Sequence, residues 1–305
     1  MTDNRTENLP ENPNGQSPVS ASAAGRFTFP GTSISVNRMG YGAMQLAGPH
    51  VFGEPRDPDE ARAVLREALA LGVDHIDTSD FYGPYVTNRL IRETLHPYPA
   101  HLTLVTKIGA WRDDKGDWLP ERSPDFLRKS VEDNLERLGL DRMAIVNLRM
   151  FTPEDDIAAP MRVMRQMQDE GLIAHIGLSN VDDTQLRVAR DIAPVVCVQN
   201  QYNLVHREND GMIDGLARDG IAFVPFFPLG GFSPLQTEEL NRVAGEMQAT
   251  PQGVALAWLL ARSPNILLIP GTSRRTHLRE NIAAASLMLS APHMARLNAI
   301  GRLST

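Results

Sequence analysis

Eight short apolar, β-rich runs alternate with helix-length amphipathic segments, and this alternation predicts an α/β fold, a (β/α)8 TIM barrel. Continuously apolar strands of this kind belong to a parallel sheet covered on both faces. Eight units in about 270 residues suit a closed barrel better than an open sheet. A doubly wound fold is the alternative, but it ordinarily carries a G-x-G-x-x-G turn after its first strand, and the Gly40-Tyr41-Gly42 stretch does not continue that way.

In chain order, residues 1–25 hold only Met1, Leu9 and Val19 as large apolar side chains, so they are expected to form a disordered tail ahead of a barrel domain over 26–305. The first strand is expected at 38–44 (RMGYGAM). Asp57-Pro58 then opens a helix with Ala61, Val64, Leu65, Ala68 and Leu69 on one face, closed by Gly72. Strands follow at 73–78 (VDHIDT) and 102–107 (LTLVTK), and Ser123-Pro124 opens a helix carrying Leu127, Val131, Leu135 and Leu138 up to Gly139. After the strand at 143–149 (MAIVNLR), Met161, Met164 and Met167 at helical spacing predict a helix packed on the barrel. Strands at 173–179 (IAHIGLS), 195–199 (VVCVQ) and 221–227 (IAFVPFF) come next. A helix containing Val254, Leu256, Ala257, Leu259 and Leu260 ends near Pro264, and ILLIP at 266–270 is the eighth strand.

Composition excludes several function classes. Thirty Lys plus Arg against 37 Asp plus Glu give a net charge of −7 without a basic run, so nucleic acid is not an expected partner. No apolar stretch approaches the roughly 18 residues of a membrane span, the N-terminus lacks the apolar core of a signal peptide, and a cytoplasmic location is expected. The single Cys197 rules out a disulfide framework and sits in an apolar run, as an inert core thiol would. The eight His residues show no ligand spacing, so no metal is expected; His75 is expected to be a satisfied core or rim histidine.

In a barrel of this class, chemistry sits at the C-terminal ends of the strands. Those ends carry Asp77 with Tyr82 beyond it, Lys107, Asn147 with Arg149, Ser179-Asn180, Gln199, and Gly271-Thr272-Ser273. An ammonium beside a phenol favours the phenolate, and a carboxylate holds the ammonium in place, so this set can make a tyrosine a proton donor near neutral pH. The same residues can equally be rim side chains or a structural ion pair, and position alone leaves both open.

The stretches GYGAMQLAG (40–48), GVDHIDTSDFYG (72–83), LVTKIG (104–109), ERLGLDRM (136–143), GLIAHIGLSNV (171–181), VQNQYNLVHRE (198–208), VALAWLL (254–260) and IPGTSRRTHLRENIAA (269–284) resemble the aldo-keto reductases, in the family's order. The resemblance implies a barrel that binds NADPH extended, without a Rossmann turn, and transfers hydride to an aldehyde or ketone. It implies that Asp77, Tyr82 and Lys107 are three members of the catalytic tetrad, with Tyr82 the proton donor. For the cofactor it implies that Ser179, Asn180 and Gln199 hold the nicotinamide amide, together with Asp77. Phe226 would stack on the ring, with Gly42, Ala43 and Met44 on the other side and Leu229 nearby. Gly271, Thr272, Ser273, Arg274 and Arg279 would hold the 2′-phosphate, and Glu280 and Asn281 the adenine. A monomer acting on a small-molecule carbonyl substrate is the partner state it implies.

Arg274, Arg275 and Arg279 have a physical reading of their own, since guanidinium groups at a strand-to-helix turn suit a phosphate monoester. The fourth tetrad position departs from the family: Arg149 stands where a His is ordinary. Alternation puts Asn147 and Arg149 on one side of their strand, and Arg149 would then polarise the substrate carbonyl with a charge that does not titrate. A bacterial branch that includes pyridoxal reductases resembles this chain in its Asn147-Leu148-Arg149 run, which implies a heteroaromatic aldehyde such as pyridoxal. Trp111, Trp118, Phe151, Phe227 and Phe232 could sandwich a flat ring, or serve as loop anchors. Two other functions compete: a Schiff-base aldolase using Lys107, and a non-catalytic NADPH-binding barrel that regulates a partner.

Overall fold

The structure, a computed structural model, describes residues 19–231, 235 and 237–301. Its strands are β1 (Arg26–Thr28), β2 (Ser35–Asn37), β3 (Tyr41–Gly42), β4 (His75–Asp77), β5 (Thr103–Ile108), β6 (Ala110–Arg112), β7 (Trp118–Pro120), β8 (Met143–Arg149), β9 (Ile173–Ser179), β10 (Val195–Gln199) and β11 (Ala222–Phe223). The helices are α1 (Pro58–Ala70), α2 (Val86–Leu95), α3 (Pro124–Leu138), α4 (Ala158–Asp169), α5 (Asp183–Ile192), α6 (Asp210–Arg218), α7 (Glu238–Glu246), α8 (Pro251–Arg262), α9 (Arg275–Ala283) and α10 (Ala291–Ile300).

Seven strands form one parallel sheet in the order β11-β10-β9-β8-β5-β4-β3. The eighth run, 266–270, closes the curve without becoming a ladder: Leu268 bridges Met39, and Ile266 bridges Phe223. Its neighbours β3 and β11 are only two residues long, so single bridges are all the pairing that remains. For the same reason the first and seventh runs are shorter than expected. Ala43–Leu46 coils into a 3-10 turn directly after β3, and Pro225, which has no N–H to give, interrupts the run after β11.

The helix signals match the folded chain where caps and stripes agree. Asp57 Oδ1 accepts from Glu60 N at 2.9 Å at the start of α1. Gly139 ends α3 in the left-handed region, with φ at 67°. Met161, Met164 and Met167 are all buried on α4, as their spacing predicted.

Two hairpins carried no recognised signal in the sequence. β1 and β2 pair antiparallel, and their Phe29 and Val36 pack with Val105, Ile145, Val196, Leu267 and Ile269 inside the barrel. The hairpin therefore plugs one end of the lumen. β6 and β7 form the other hairpin, between β5 and α3. The expected tail is also too long: Ala21–Ala24 form a 3-10 turn, both terminal alanines are buried, and Ala21 N donates to Leu71 O at 2.8 Å. Small apolar residues can dock under a helix end without adding to the large apolar side chains whose scarcity suggested disorder. Residues 1–18 lie outside the described ones.

Inside the barrel, Asn147 is fully buried and accepts from Cys197 Sγ at 3.3 Å. Room for it depends on Gly177, where a Cβ would fall 1.9 Å from Asn147 Oδ1. Burial pushes the Cys197 thiol up to about 12, which fits an inert core thiol. His75 is buried as expected, but it is not satisfied. Neither ring nitrogen has a hydrogen-bond partner among the described residues, because the nearest carboxylate oxygen, on Asp74, is 4.0 Å away.

A polar network ties the site-bearing strands to α2 and α3. Thr78 donates to Asn88 Oδ1 at 2.8 Å, Asn88 donates to Asn134 Oδ1 at 2.9 Å, and Thr106 donates to the same oxygen at 2.7 Å. At its edge Asp80 accepts from Asn88 and pairs with Arg137. Burial pushes the Asp80 carboxyl from its ordinary 3.8 up to about 7; Arg137 opposes the rise and Asp133 adds to it. The folded state thus keeps a proton that the unfolded chain releases. Stability from this group is complete below about pH 4 and is lost as pH rises to about 7. Thermal unfolding across that window should show a falling Tm in the wild type and a nearly flat one in Asp80→Asn; equal slopes would discard this assignment.

Candidate active site

The curl of the sheet gathers residues from four strand ends. Asp77 ends β4, Lys107 lies one residue from the end of β5, Arg149 ends β8 and Gln199 ends β10. Lys107 Nζ lies 2.5 Å from Asp77 Oδ1 and donates to Thr78 O at 3.1 Å. Asp77 Oδ2 accepts from Gln199 Nε2 at 2.9 Å, so both carboxylate oxygens are engaged. Burial works against the Lys107 charge, but Asp77 and then Tyr82 outweigh it, and the ammonium is held above its ordinary value. The ammonium also sits 5.2 Å from the Tyr82 ring centroid. Tyr82 is carried by the turn after β4 and is buried against Ala47 and Val51.

Arg149 opens into the same cavity of about 370 Å³, with Tyr82, Lys107, Ser179 and Gln199. It has no ion pair and no side-chain hydrogen bond among the described residues. It is held instead by aromatic faces, with Trp118 at 4.8 Å and Phe151 at 5.2 Å from its guanidinium carbon. Burial lowers its pKa and Tyr82 counters the drop; a guanidinium keeps its charge near neutrality regardless.

The stack continues on both sides. Arg112 lies between Trp118, at 5.0 Å, and Phe52, at 5.3 Å, while Arg122 covers Phe151 at 6.0 Å and pairs with Asp155 at 2.8 Å. Cations and rings alternate across the mouth, and Trp118 turns its edge to Tyr82 at 6.3 Å. Arg112 was not singled out by the sequence. It donates to His50 O, Val51 O and Gly116 O, and so fastens the loop after β3 to the β6–β7 hairpin. No local signal marks it, because its carbonyl partners His50 and Val51 lie 62 and 61 residues away along the chain.

Of the other aromatic residues expected at the mouth, Phe227 lines the cavity, Trp111 is exposed on its strand and does not line it, and Phe232 lies outside the described residues. Phe226 lines the cavity and meets Phe227 edge-on at 5.3 Å.

The residues expected to hold a cofactor divide in two. Gly42, Met44, Asp77, Gln199, Phe226, Leu229 and Gly271 line one continuous groove. Here the backbones of β3 and the closing run touch, and a Cβ on Gly42 would fall 2.4 Å from Ile269 O. Gln199 Oε1 is buried without a partner among the described residues, an acceptor suited to the amino group of a carboxamide. Ser179 is buried at the lip. Ser273 and Arg274 line an adjoining cavity with Arg56 and Thr276, and Thr272 Oγ1 accepts from Arg274 N at 3.1 Å, shaping the turn before α9.

Others stand outside that groove, although Asn180 lines the cavity of Arg149 and Ser179. The Ala43 side chain is buried in the outer core. Asn180 spends its amide hydrogens on Met150 O and Phe151 O, at 3.0 and 3.2 Å, and thereby braces the loop that carries the Arg149 stack. The arginine cluster is partly spent as well: Arg275 pairs with Glu60 at 3.0 Å and Arg279 with Glu67, because α1 packs beside α9. Glu280 is exposed and Asn281 buried, and neither lines a described cavity. Among the described residues no three His, Cys, Asp or Glu side chains gather as a metal site would require. No described helix is long and apolar enough to cross a membrane.

A closed parallel barrel with an Asp, Lys and Tyr set at its strand ends defines an oxidoreductase of the aldo-keto class. Residues 38–302 match the Aldo/keto reductase family, and the chain belongs to it. It is similar to pyridoxine 4-dehydrogenase of Escherichia coli, 60% identical over 281 residues that cover 90% of this chain and 98% of the relative. An uncharacterized oxidoreductase of Schizosaccharomyces pombe is 38% identical, covering 94% and 93% of the two chains. Among solved structures, a thermostable aldo-keto reductase in complex with the inhibitor epalrestat matches with a TM-score of 0.79 at 28% identity, covering 90% of this chain and 99% of that one.

Cutting the Arg112 fastening should loosen the mouth. Arg112→Met removes charge-assisted bonds to several carbonyls, and urea unfolding should show a loss of roughly 2–4 kcal/mol. A loss under about 0.5 kcal/mol would mean that the loop is held by other contacts.

Proposed function

We propose that the protein interconverts pyridoxal and pyridoxine, with NADPH and NADP+ as the hydride couple. The observation that carries this reading is the cavity itself: Tyr82, Lys107 and Arg149, which has no ion pair among the described residues, face one space walled by Trp118, Phe226 and Phe227. Flat aromatic walls suit a pyridine ring, and two fixed cations suit an oxygen that gains negative charge. The 60% identity to a pyridoxine 4-dehydrogenase points to the same substrate.

The groove lined by Gly42, Gln199, Phe226, Leu229 and Gly271 would hold the nicotinamide, with Gln199 Oε1 accepting from its carboxamide. Ser273 and Arg274, at the start of α9, together with Arg56 across the adjoining cavity, would hold a 2′-phosphate. Arg275 and Arg279 stay with Glu60 and Glu67 and contribute less than their number suggested. When bound, the cofactor supplies hydride to the carbonyl carbon.

The chain manages the oxygen. Tyr82 donates its proton to the carbonyl oxygen, and Lys107, anchored by Asp77, stabilises the phenolate left behind. Arg149 offers positive charge where the alkoxide develops. Lys107 is also poorly placed for an aldolase: a Schiff base needs a neutral amine, and Asp77 keeps this one protonated. A purely regulatory barrel would have no use for the Tyr82 donor.

The test is the loss of NADPH absorbance with pyridoxal. Tyr82→Phe should lower kcat by a factor of about 100 or more, since a positioned proton donor contributes that much. Tight NADPH binding with no turnover across a panel of aldehydes would sink the reading. Arg149→Leu should reduce kcat by roughly tenfold or more. The wild-type rate profile should lack an inflection from a histidine at the fourth tetrad position, since Arg149 stands there and does not titrate.

A further inference from the structure

Polarising one carbonyl oxygen uses only part of what Arg149 offers. Its guanidinium carbon lies over the Trp118 and Phe151 rings, while its N–H groups have no acceptor among the described residues and border the cavity. Of the three cations lining that cavity, Lys107 is committed to Asp77, Thr78 and Tyr82, and Arg112 to the carbonyls of the mouth loops. Only Arg149 has open donors among them. A guanidinium edge presents two parallel N–H groups, which match two oxygens less than about 3 Å apart in one plane. A simple aldehyde supplies one such oxygen.

We propose that Arg149 selects aldehydes that carry an ionised hydroxyl on the ring carbon next to the carbonyl-bearing one, and grips both oxygens along one edge. This rests on the carbonyl-reductase reading above and narrows it to ortho-hydroxy aryl aldehydes, the class to which pyridoxal belongs. In the planar rotamer that puts both oxygens on one side, the phenolate and carbonyl repel each other. A bridging guanidinium turns that repulsion into attraction and fixes the rotamer. The carbonyl oxygen keeps its second lone pair for Tyr82. Reduction then breaks the C=O π bond, forms a C–H bond from the NADPH hydride and an O–H bond from the Tyr82 proton, and leaves NADP+. The ring oxygen remains anionic on Arg149 throughout. The Trp118 and Phe151 rings hold the guanidinium in place, and its planar fork suits an in-plane approach that an ammonium on a flexible stem would not enforce.

The experiment compares kcat/KM for benzaldehyde and its 2-, 3- and 4-hydroxy derivatives with NADPH, in the wild type, Arg149→Lys and Arg149→Gln. The wild type should favour the 2-hydroxy isomer over the 4-hydroxy isomer by about tenfold or more, one good charge-assisted contact being worth that factor. Both variants should bring the ratio within about twofold. A second readout needs no turnover: in complex with NADP+, the wild type should bind 2-hydroxybenzaldehyde with the phenolate absorption band developed at a lower pH than in free solution, and Arg149→Gln should not. Reduction of all isomers at similar rates by the wild type, or a preference that survives in Arg149→Gln, overturns the ortho-oxygen grip alone. No reduction of any aldehyde overturns the reductase reading; the grip then stands or falls on the phenolate band.

Discussion

The buried pair between Asp77 and Lys107 is the interaction around which the site is arranged. Two charges inside a barrel are costly to desolvate, and their attraction repays that cost only when every remaining donor and acceptor is used. Here Gln199 takes the second carboxylate oxygen and Thr78 O takes a further ammonium hydrogen. Three strands, β4, β5 and β10, must therefore keep their register, because a slip of one residue would turn Asp77 or Lys107 out of the lumen. The network of Thr78, Asn88, Thr106 and Asn134 holds that register from outside the sheet. The charge that results acts on Tyr82.

Arg149 solves a different problem. A buried guanidinium with a carboxylate partner would be stable but neutralised as an electrostatic tool. Aromatic faces hold it without cancelling its charge, at about 0.5–2 kcal/mol per contact when water is excluded. The alternating stack from Phe52 to Arg122 spans the loop after β3, the β6–β7 hairpin and the loop after β8. The arginine thus takes its place through segments that are irregular in sequence, while its backbone belongs to a regular strand.

Which residues were legible followed from how far their determinants reach along the chain. Asp77, Lys107, Arg149 and Gln199 end or nearly end apolar runs, and period-two alternation assigns their side. The caps at Asp57 and Gly139 and the methionine stripe of α4 are local too. By contrast, the β1–β2 plug, the docked Ala21–Ala24 turn and Arg112 depend on partners outside their own segments. The pairing of the arginines after the closing run was illegible for the same reason. Glu60 and Glu67 are more than 200 residues away in sequence, and only the packing of α1 on α9 brings them to Arg275 and Arg279.

The sequence by itself determined the barrel and the set of polar side chains at its mouth, because strand and helix periodicity is written into consecutive residues and fixes direction within each element. The tertiary structure decided which of those side chains remain available. The amide hydrogens of Asn180 were turned to backbone carbonyls, Arg279 was turned to a glutamate, and Arg149 was left over two rings with no acceptor among the described residues. Availability is a matter of what lies within about 3–6 Å in space, and no local pattern encodes a neighbour that comes from another part of the chain.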